Sequence, residues 1–246
     1  MRLALLTDIH ANREAFEAVL ADLSQRQIDR LVFLGDIVGY GPDPGWCVDQ
    51  VESLVAKGAI ALRGNHDRAV TTPDNILNAN ARRVIDWTVN RLNARQKLFL
   101  SDLPLTVEDG DTLFTHASAN DPGDWLYVTS ESTARPSFLV SGARLIFCGH
   151  VHRAALYSCD LTGRVSHLAV PTGHPMPLLQ SRRWLGVIGS VGQPRDGSTL
   201  ASYAILDRAR NELCFRRTAY DATTTARKSR EAGLPEALAQ RLMKGI

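Results

Sequence analysis

Residues 3–10 read Leu3-Ala4-Leu5-Leu6-Thr7-Asp8-Ile9-His10, a short apolar run followed at once by a carboxylate and an imidazole. The same construction recurs four times. Apolar runs at 31–34, 59–62, 112–114 and 145–147 are followed by Gly35-Asp36, by Gly64-Asn65-His66-Asp67, by His116 and by Gly149-His150-Val151-His152. Runs this short and this continuously apolar are the signature of strands covered on both faces. Between the first two, Phe16, Val19, Leu20 and Leu23 recur at helical spacing. Asn12 is placed as the N-cap of that helix and Glu14 lies where it favours the helix dipole, which makes a βαβ unit. Cys47, Val51, Leu54 and Val55 repeat the pattern after Pro42-Asp43-Pro44-Gly45, and Ile85, Thr88, Val89 and Leu92 repeat it again. Three crossover helices and an α/β fold are predicted.

Further along, runs at 165–170, 184–188, 203–206 and 213–215 follow one another with loops between them, which predicts a second, antiparallel sheet. From Thr223 onward the composition is helical, broken at Gly233-Leu234-Pro235. The 246 residues contain no repeat, low-complexity tract or linker, so one domain over 1–246 is expected. With 44% hydrophobic and 22% charged residues the chain has the composition of a globular protein that buries a core. A net charge of +2, from 28 basic and 26 acidic residues, supplies no whole-molecule field for nucleic acid, so a charged substrate has to be held locally. The basic residues between 208 and 230 read as solvated faces.

Cys47, Cys148, Cys159 and Cys214 form no Cys-x-x-Cys pair, which argues against a zinc knuckle or a disulfide framework. The first apolar run is too short for a signal-peptide core, and the least charged later stretch, 165–181, carries histidines and prolines that bar a membrane span. A soluble cytoplasmic protein without a membrane partner is the expectation. Oligomeric state is not legible.

In open α/β sheets, loops beyond the carboxyl ends of neighbouring strands converge on one crevice. That rule gathers Asp8, His10, Asp36, Asn65, His66, Asp67, His116, His150 and His152, including five of the seven histidines, into one site. Singly, each motif reads as an ordinary turn or loop residue; together they form a set of oxygen and imidazole donors without a thiolate. Such a set suits two divalent cations of the Mn, Fe, Co, Ni or Zn kind. Glycines 35, 64 and 149 let the backbone turn sharply after a buried strand without filling the crevice.

The ordered series Asp8-x-His10, Gly35-Asp36, Gly64-Asn65-His66-Asp67, His116 and Gly149-His150-x-His152 resembles the calcineurin-like metallophosphoesterases, and within them the single-domain bacterial phosphodiesterase-like branch. The resemblance runs from Met1 to about Asp207. It implies a four-layer α/β/β/α sandwich with two mixed sheets. It also implies that Asp8, His10 and His152 hold one metal, that Asn65, His116 and His150 hold the other, and that Asp36 bridges them. Two cations about 3.5 to 4 Å apart lower the pKa of a shared water and clamp phosphate oxygens, so the expected nucleophile is metal-bound hydroxide, with manganese the favoured ion. His66 is then placed as the general acid, and Asp67 as an orienting partner.

Departures from the family pattern narrow the substrate. Protein Ser/Thr phosphatases of this superfamily carry an Asp-Arg pair where Gly39-Tyr40 stands here, so a histidine-orienting carboxylate and a forked phosphate-binding guanidinium are missing. A phosphodiester or small phosphomonoester is therefore the expected substrate. A dinucleoside polyphosphatase and a protein Ser/Thr phosphatase are the enzymatic alternatives, and a metal-poor interaction scaffold the non-enzymatic one. Arg195, in the block Gly189-Ser190-Val191-Gly192-Gln193-Pro194-Arg195-Asp196-Gly197, and Asn12 are the candidate substrate-binding residues. Arg63 is a weaker candidate for the phosphate contact. The segment 118–137, with Trp125, is long for a loop and reads as a rim or lid, and His174 stands apart as a residue not assigned to the metals.

Overall fold

The structure is a computed structural model that describes residues 1–72 and 79–246. In chain order its strands are β1 (Arg2–Leu6), β2 (Arg30–Phe33), β3 (Ile60–Ala61), β4 (Thr106–Asp109), β5 (Thr112–Thr115), β6 (Leu145–Cys148), β7 (Ala155–Cys159), β8 (Val165–Leu168), β9 (Met176–Pro177), β10 (Arg183–Val187), β11 (Ala201–Asp207) and β12 (Glu212–Thr218). The helices are α1 (Arg13–Ser24), α2 (Pro44–Ala56), α3 (Asn65–Thr71), α4 (Ala79–Val89), α5 (Ala94–Asp102), α6 (Glu131–Val140), α7 (Ala222–Glu231) and α8 (Glu236–Lys244).

The strands form two six-stranded sheets, ordered β3-β2-β1-β11-β12-β9 and β4-β5-β6-β10-β7-β8. Both are mixed. In the first, β1, β2 and β3 run parallel while β11 pairs antiparallel with β1 and β12. In the second, β5, β6 and β10 run parallel, flanked by antiparallel β4, β7 and β8. The expected division into an early parallel and a late antiparallel sheet is therefore corrected. The runs at 112–114 and 145–147 lie in the second sheet, and those at 203–206 and 213–215 lie in the first. Chain order misleads because the connection from β3 to β4, which carries α3, α4 and α5 among the described residues, crosses to the other sheet, and the chain returns to the first sheet at β9 and again at β11.

Side-chain alternation along β1 shows why its sequence is continuously apolar. Leu3 and Leu5 enter a core shared by both sheets with Val32, Phe114, Phe147, Trp184, Leu206 and Phe215. Ala4 and Leu6 point the other way and pack with Phe16, Val19, Cys47 and Val51 from α1 and α2. On the far face of the second sheet, Ile146, Tyr157 and Leu185 pack with Ala134 and Phe138 of α6. Helix, sheet, sheet and helix thus alternate as four layers, and each fully buried Leu or Phe contributes about 1.5–3 kcal/mol to holding them together.

Helix α1 is capped as expected, with Asn12 Oδ1 accepting from the Ala15 amide. The structure adds three helices absent from the sequence reading, α3, α5 and α6, and three strands, β4, β7 and β9. Helix α6 takes up the end of the segment 118–137, so the loop is shorter than expected. At the C-terminus the break at 233–235 separates α7 from α8. Helix α7 is pinned to the starts of α1 and α2: Thr225 Oγ1 donates to Glu14 at 2.8 Å, and Lys228 Nζ binds Glu14 and Asp43. Among the described residues, no helix is long and apolar enough to cross a membrane.

Candidate metal centre

Backbone hydrogen bonds stitch the loops beyond β1, β2, β5, β6 and β10 into one floor. The amides of Asp8, His10 and Ala11 donate to the carbonyls of Gly35, Asp36 and Ile37, and Gly149 N donates to His116 O. From the other side, Val191 N and Gly192 N donate to Thr7 O and Asp8 O, and Arg195 N donates to His152 O. Residues 142 apart in sequence thereby come into contact: His10 Nε2 and His152 Nε2 are 3.0 Å apart.

Three of the imidazoles are oriented by main-chain carbonyls. His10 Nδ1 meets Val38 O at 3.1 Å, His116 Nδ1 meets Leu34 O at 2.8 Å, and His152 Nδ1 meets Gln193 O at 2.6 Å. A carbonyl only accepts, so each Nδ1 carries the proton and each Nε2 of a neutral ring presents a lone pair to the centre. The carboxylates are aimed in the same way. Asp8 Oδ2 accepts from Thr7 Oγ1 at 2.7 Å and His150 N at 2.9 Å, while Asp8 Oδ1 is buried without a hydrogen-bond partner. Asp36 Oδ1 accepts from His66 N at 2.8 Å, which turns Oδ2 toward His10 Nε2 at 3.7 Å and His116 Nε2 at 3.3 Å.

The result is a buried cluster of acceptors facing one another. His152 Nε2 is 3.1 Å from Asp8 Oδ1, and His116 Nε2 is 3.2 Å from Asn65 Oδ1. Ligand atoms of Asp8, His10 and His152 lie within 4.8 Å of one another, as do those of Asp36, His116 and His150. Converging lone pairs repel unless a proton or a cation stands among them, and that is the geometry a metal site requires. Burial alone would raise the Asp8 and Asp36 carboxyls, but the surrounding imidazoles outweigh it and hold both below the ordinary carboxylate range. Burial pulls His66 down to about 3 and His150 to about 4. His116 goes the other way: burial pulls it down, yet the Asp36 charge and hydrogen bond raise it to about 9. Two carboxylates among largely neutral rings leave a negative centre, so the donor set fits divalent cations.

Backbone strain marks the same residues. Asp8, His10, Asp36, His150 and His152 all have positive φ, between 48° and 67°. Each such non-glycine conformation costs on the order of 1–3 kcal/mol and persists only where surrounding contacts impose it. Close approach also requires glycine at 149 and 64. A Cβ on Gly149 would strike Thr7 Oγ1 and Asp8 Oδ2, and one on Gly64 would strike Asp36.

All seven predicted ligand positions, and His66, converge here. Overlap exists, since His66 also comes within 4.8 Å of His10 and Asp36 ligand atoms. Its Nδ1 is buried without a partner, and its ring lies 4.9 Å from His10 and 4.4 Å from Tyr40. Asp67 accepts from the amides of Ile37, Val38 and Gly64 and so locks two of the loops together. Asn12 is reassigned from substrate contact to scaffold. Its Oδ1 takes the α1 cap and Thr225, and its Nδ2 donates to Gly192 O at 2.8 Å, so the buried amide has its partners within the protein. Arg63 likewise serves the scaffold through Ser101 O, and His174 is exposed. Arg195 donates to Gln193 Oε1 at 2.9 Å and lies over the Tyr40 ring at 5.6 Å, with no ion-pair partner among the described residues.

Sequence reasoning placed Tyr127 only within the rim segment and Tyr40 only as a replacement in the second block, and gave neither a contact at this site. Tyr40 lies against His10 and His66, and Tyr127 stacks on His150 at 4.2 Å. Their signal is weak, because an aromatic residue in a polar loop is not diagnostic until the loop is placed.

A family description, the calcineurin-like phosphoesterase superfamily domain, matches residues 1–211. An uncharacterized protein of Methanocaldococcus jannaschii is 33% identical over 249 residues, covering 99% of this chain and 98% of its own. A metallophosphoesterase crystal structure from Sphaerobacter thermophilus superposes with a TM-score of 0.88 at 36% identity over 100% of both chains. A hypothetical protein from Pyrococcus horikoshii has the same fold, with a TM-score of 0.80 at 19% identity over 100% of this chain and 98% of its own. With two mixed sheets stitched at one end around a buried set of acceptor side chains, the chain belongs to the calcineurin-like phosphoesterase superfamily and is a metallophosphoesterase.

Proposed function

We propose that this protein hydrolyses a phosphodiester, or a small phosphomonoester, using two divalent cations, with manganese favoured. The observation that carries the reading is Asp36 Oδ2, which faces His10 on one side and His116 on the other. A carboxylate shared in this way suits a bridging ligand, with Asp8, His10 and His152 on one cation and Asn65, His116 and His150 on the other. Two bound cations would supply a water of lowered pKa and offset charge on phosphate oxygens.

The chain's own groups do the rest. Arg195, unpaired with any described carboxylate, suits a phosphate oxygen at the mouth of the site, and Gln193 and Tyr40 hold it there. His66 rests as a neutral imidazole because burial depresses it to about 3. An arriving phosphate anion raises the pKa of a nearby imidazole, so His66 becomes a proton donor to the leaving oxygen only with substrate in place. Gly39 supports a reading away from protein phosphatases, since a Cβ there would strike the His66 ring and leaves no room for an aspartate.

Turnover of an aryl phosphodiester by Mn²⁺-loaded protein tests the proposal. Asp36→Ala and His150→Ala should each abolish turnover while the far-UV spectrum is kept; unchanged turnover would overturn it. An aryl monoester, a diadenosine polyphosphate and a phosphopeptide under the same metal condition then separate the substrate classes.

A further inference from the structure

The rim beside His116 and His150 is built from three consecutive large side chains, Trp125, Leu126 and Tyr127. Trp125 is half-buried and meets the His116 ring edge-on at 5.8 Å. Leu126 is 47% exposed and Tyr127 53% exposed. The Tyr127 ring is stacked on His150 with the planes 19° apart, so one face is covered and its exposure lies on the other face and the edge. No hydrogen bond ties the Tyr127 hydroxyl to a described residue. An exposed ring of this kind adds little to the core, and large apolar side chains clustered at the surface mark interaction sites.

Nor does the segment lie loose. Ser118 N donates to Leu126 O at 3.1 Å, Arg68 Nη1 donates to Gly123 O at 3.2 Å, and Val128, one residue on, is buried in the core beneath. Asp121 and Trp125 are both held at positive φ, 50° and 55°. These are two of the few strained non-glycine positions outside the set of ligands, and strain is retained where a side chain must be presented in a fixed direction. The sequence suggested a rim or lid here; the structure is a short anchored ridge whose aromatic faces stand beside the acceptor cluster.

Resting on the phosphoesterase reading, we propose that Tyr127, with Trp125 behind it, forms a stacking subsite for a planar aromatic group of the phosphoester, a nucleobase or an aryl ring. Aromatic faces accept any π-face, and Tyr offers its ring at small entropic expense because it has only two side-chain torsions. The other end of the centre is unlike this one, with Arg195 over Tyr40. The site therefore distinguishes a flat apolar end of its substrate from an anionic or polar end.

Equilibrium binding to the Mn²⁺-loaded protein tests this without turnover. Two matched pairs of non-hydrolysable probes serve: the methylenephosphonate analogue of AMP against that of ribose 5-phosphate for the nucleobase, and phenylphosphonate against methylphosphonate for the aryl ring. The wild type should bind the aromatic member of at least one pair about 5- to 10-fold more tightly, the size of one stacking contact. The pair that shows the preference names the source of the ring. Tyr127→Ala should bring that ratio to near one and Tyr127→Phe should keep it, with metal content measured in each to confirm that His150 is undisturbed. A ratio near one in the wild type, a ratio unchanged in Tyr127→Ala, or no binding of any probe would overturn the proposal. Failure of the phosphoesterase reading would appear separately, as binding selectivity without hydrolysis of any ester.

Discussion

Replacing Asp36 by Asn in chelator-stripped protein should collapse the basicity of His116. In the metal-free centre the pKa of the His116 imidazole is raised from 6.5 to about 9, against its own burial, by the charge and hydrogen bond of Asp36. Asparagine keeps the shape and removes that charge, leaving burial to dominate, so His116 should titrate below 6.5 in the variant. At about 1.4 kcal/mol per pH unit, the separation of about 2.5 units corresponds to roughly 3 kcal/mol of interaction with the proton. The sign of the linkage follows. A folded-state pKa above the unfolded value stabilises the metal-free fold fully below pH 6.5, and this contribution is lost as pH rises through about 9. The same proton competes with a cation for Nε2, so affinity for a divalent ion bound through His116 should rise about 10-fold per pH unit between 7 and 9. Ring ¹⁵N shifts of labelled histidine report the protonation state directly. A wild-type His116 that titrates at or below 6.5, or an Asp36→Asn variant in which it still titrates near 9, would refute the reasoning.

Gly149→Ala should destabilise the metal-free protein by about 2 kcal/mol or more in urea, because the new methyl group must displace Thr7 and the Asp8 carboxylate from a packed floor; a loss under about 0.5 kcal/mol would show that the loop yields freely. On the acid side, His66 and His150 have folded-state values of about 3 and 4 against 6.5 when unfolded, so the unfolded chain binds more protons and stability falls as pH drops below 6.5. Each such histidine predicts a loss of about 1.5 kcal/mol between pH 6.5 and 5 in chelator-treated protein, read from urea midpoints. Burial lowers His152 in the same direction, and His66→Gln should make the slope shallower by one histidine's share. A midpoint flat across that range would count against their burial as neutral rings.

What the sequence revealed and what it hid divide along a physical line. Local rules sufficed for β1, where every residue from Leu3 to Leu6 is buried because one face meets the other sheet and the opposite face meets helices. They sufficed for Asn12 as a cap, and for picking out the Asp, Asn and His side chains that converge on one centre, because a strand end followed by Asp or His is a short-range pattern. They failed on sheet membership, which is decided by where long connections carry the chain. They failed too on β4, a half-exposed edge strand whose residues alternate in burial and carry little apolar signal. Asn12 was legible as a cap but not as a strut. Its bonds to Gly192 and Thr225 span 180 and 213 residues, and no local window contains them.

Those long-range bonds explain why this chemistry sits between two sheets. Each group of acceptors draws on both: Asp8 and His10 follow β1 of the first sheet while His152 follows β6 of the second, and Asp36 follows β2 while His116 and His150 follow β5 and β6. Two stacked sheets diverge at their ends because both are twisted, and the gap there is where loops from either side can approach without filling it. Facing lone pairs and carboxylates would push such an end apart. Main-chain bonds such as Val191 N to Thr7 O and Gly192 N to Asp8 O hold it together, at the expense of positive φ at Asp8, His10, Asp36, His150 and His152. A cation held by Asp8, His10 and His152, or by Asp36, His116 and His150, would turn that repulsion into attraction and would cross-link the two sheets. The strained backbone is then a consequence of preorganisation, since side chains already gathered at 3.0 to 3.7 Å need little rearrangement to close on an ion.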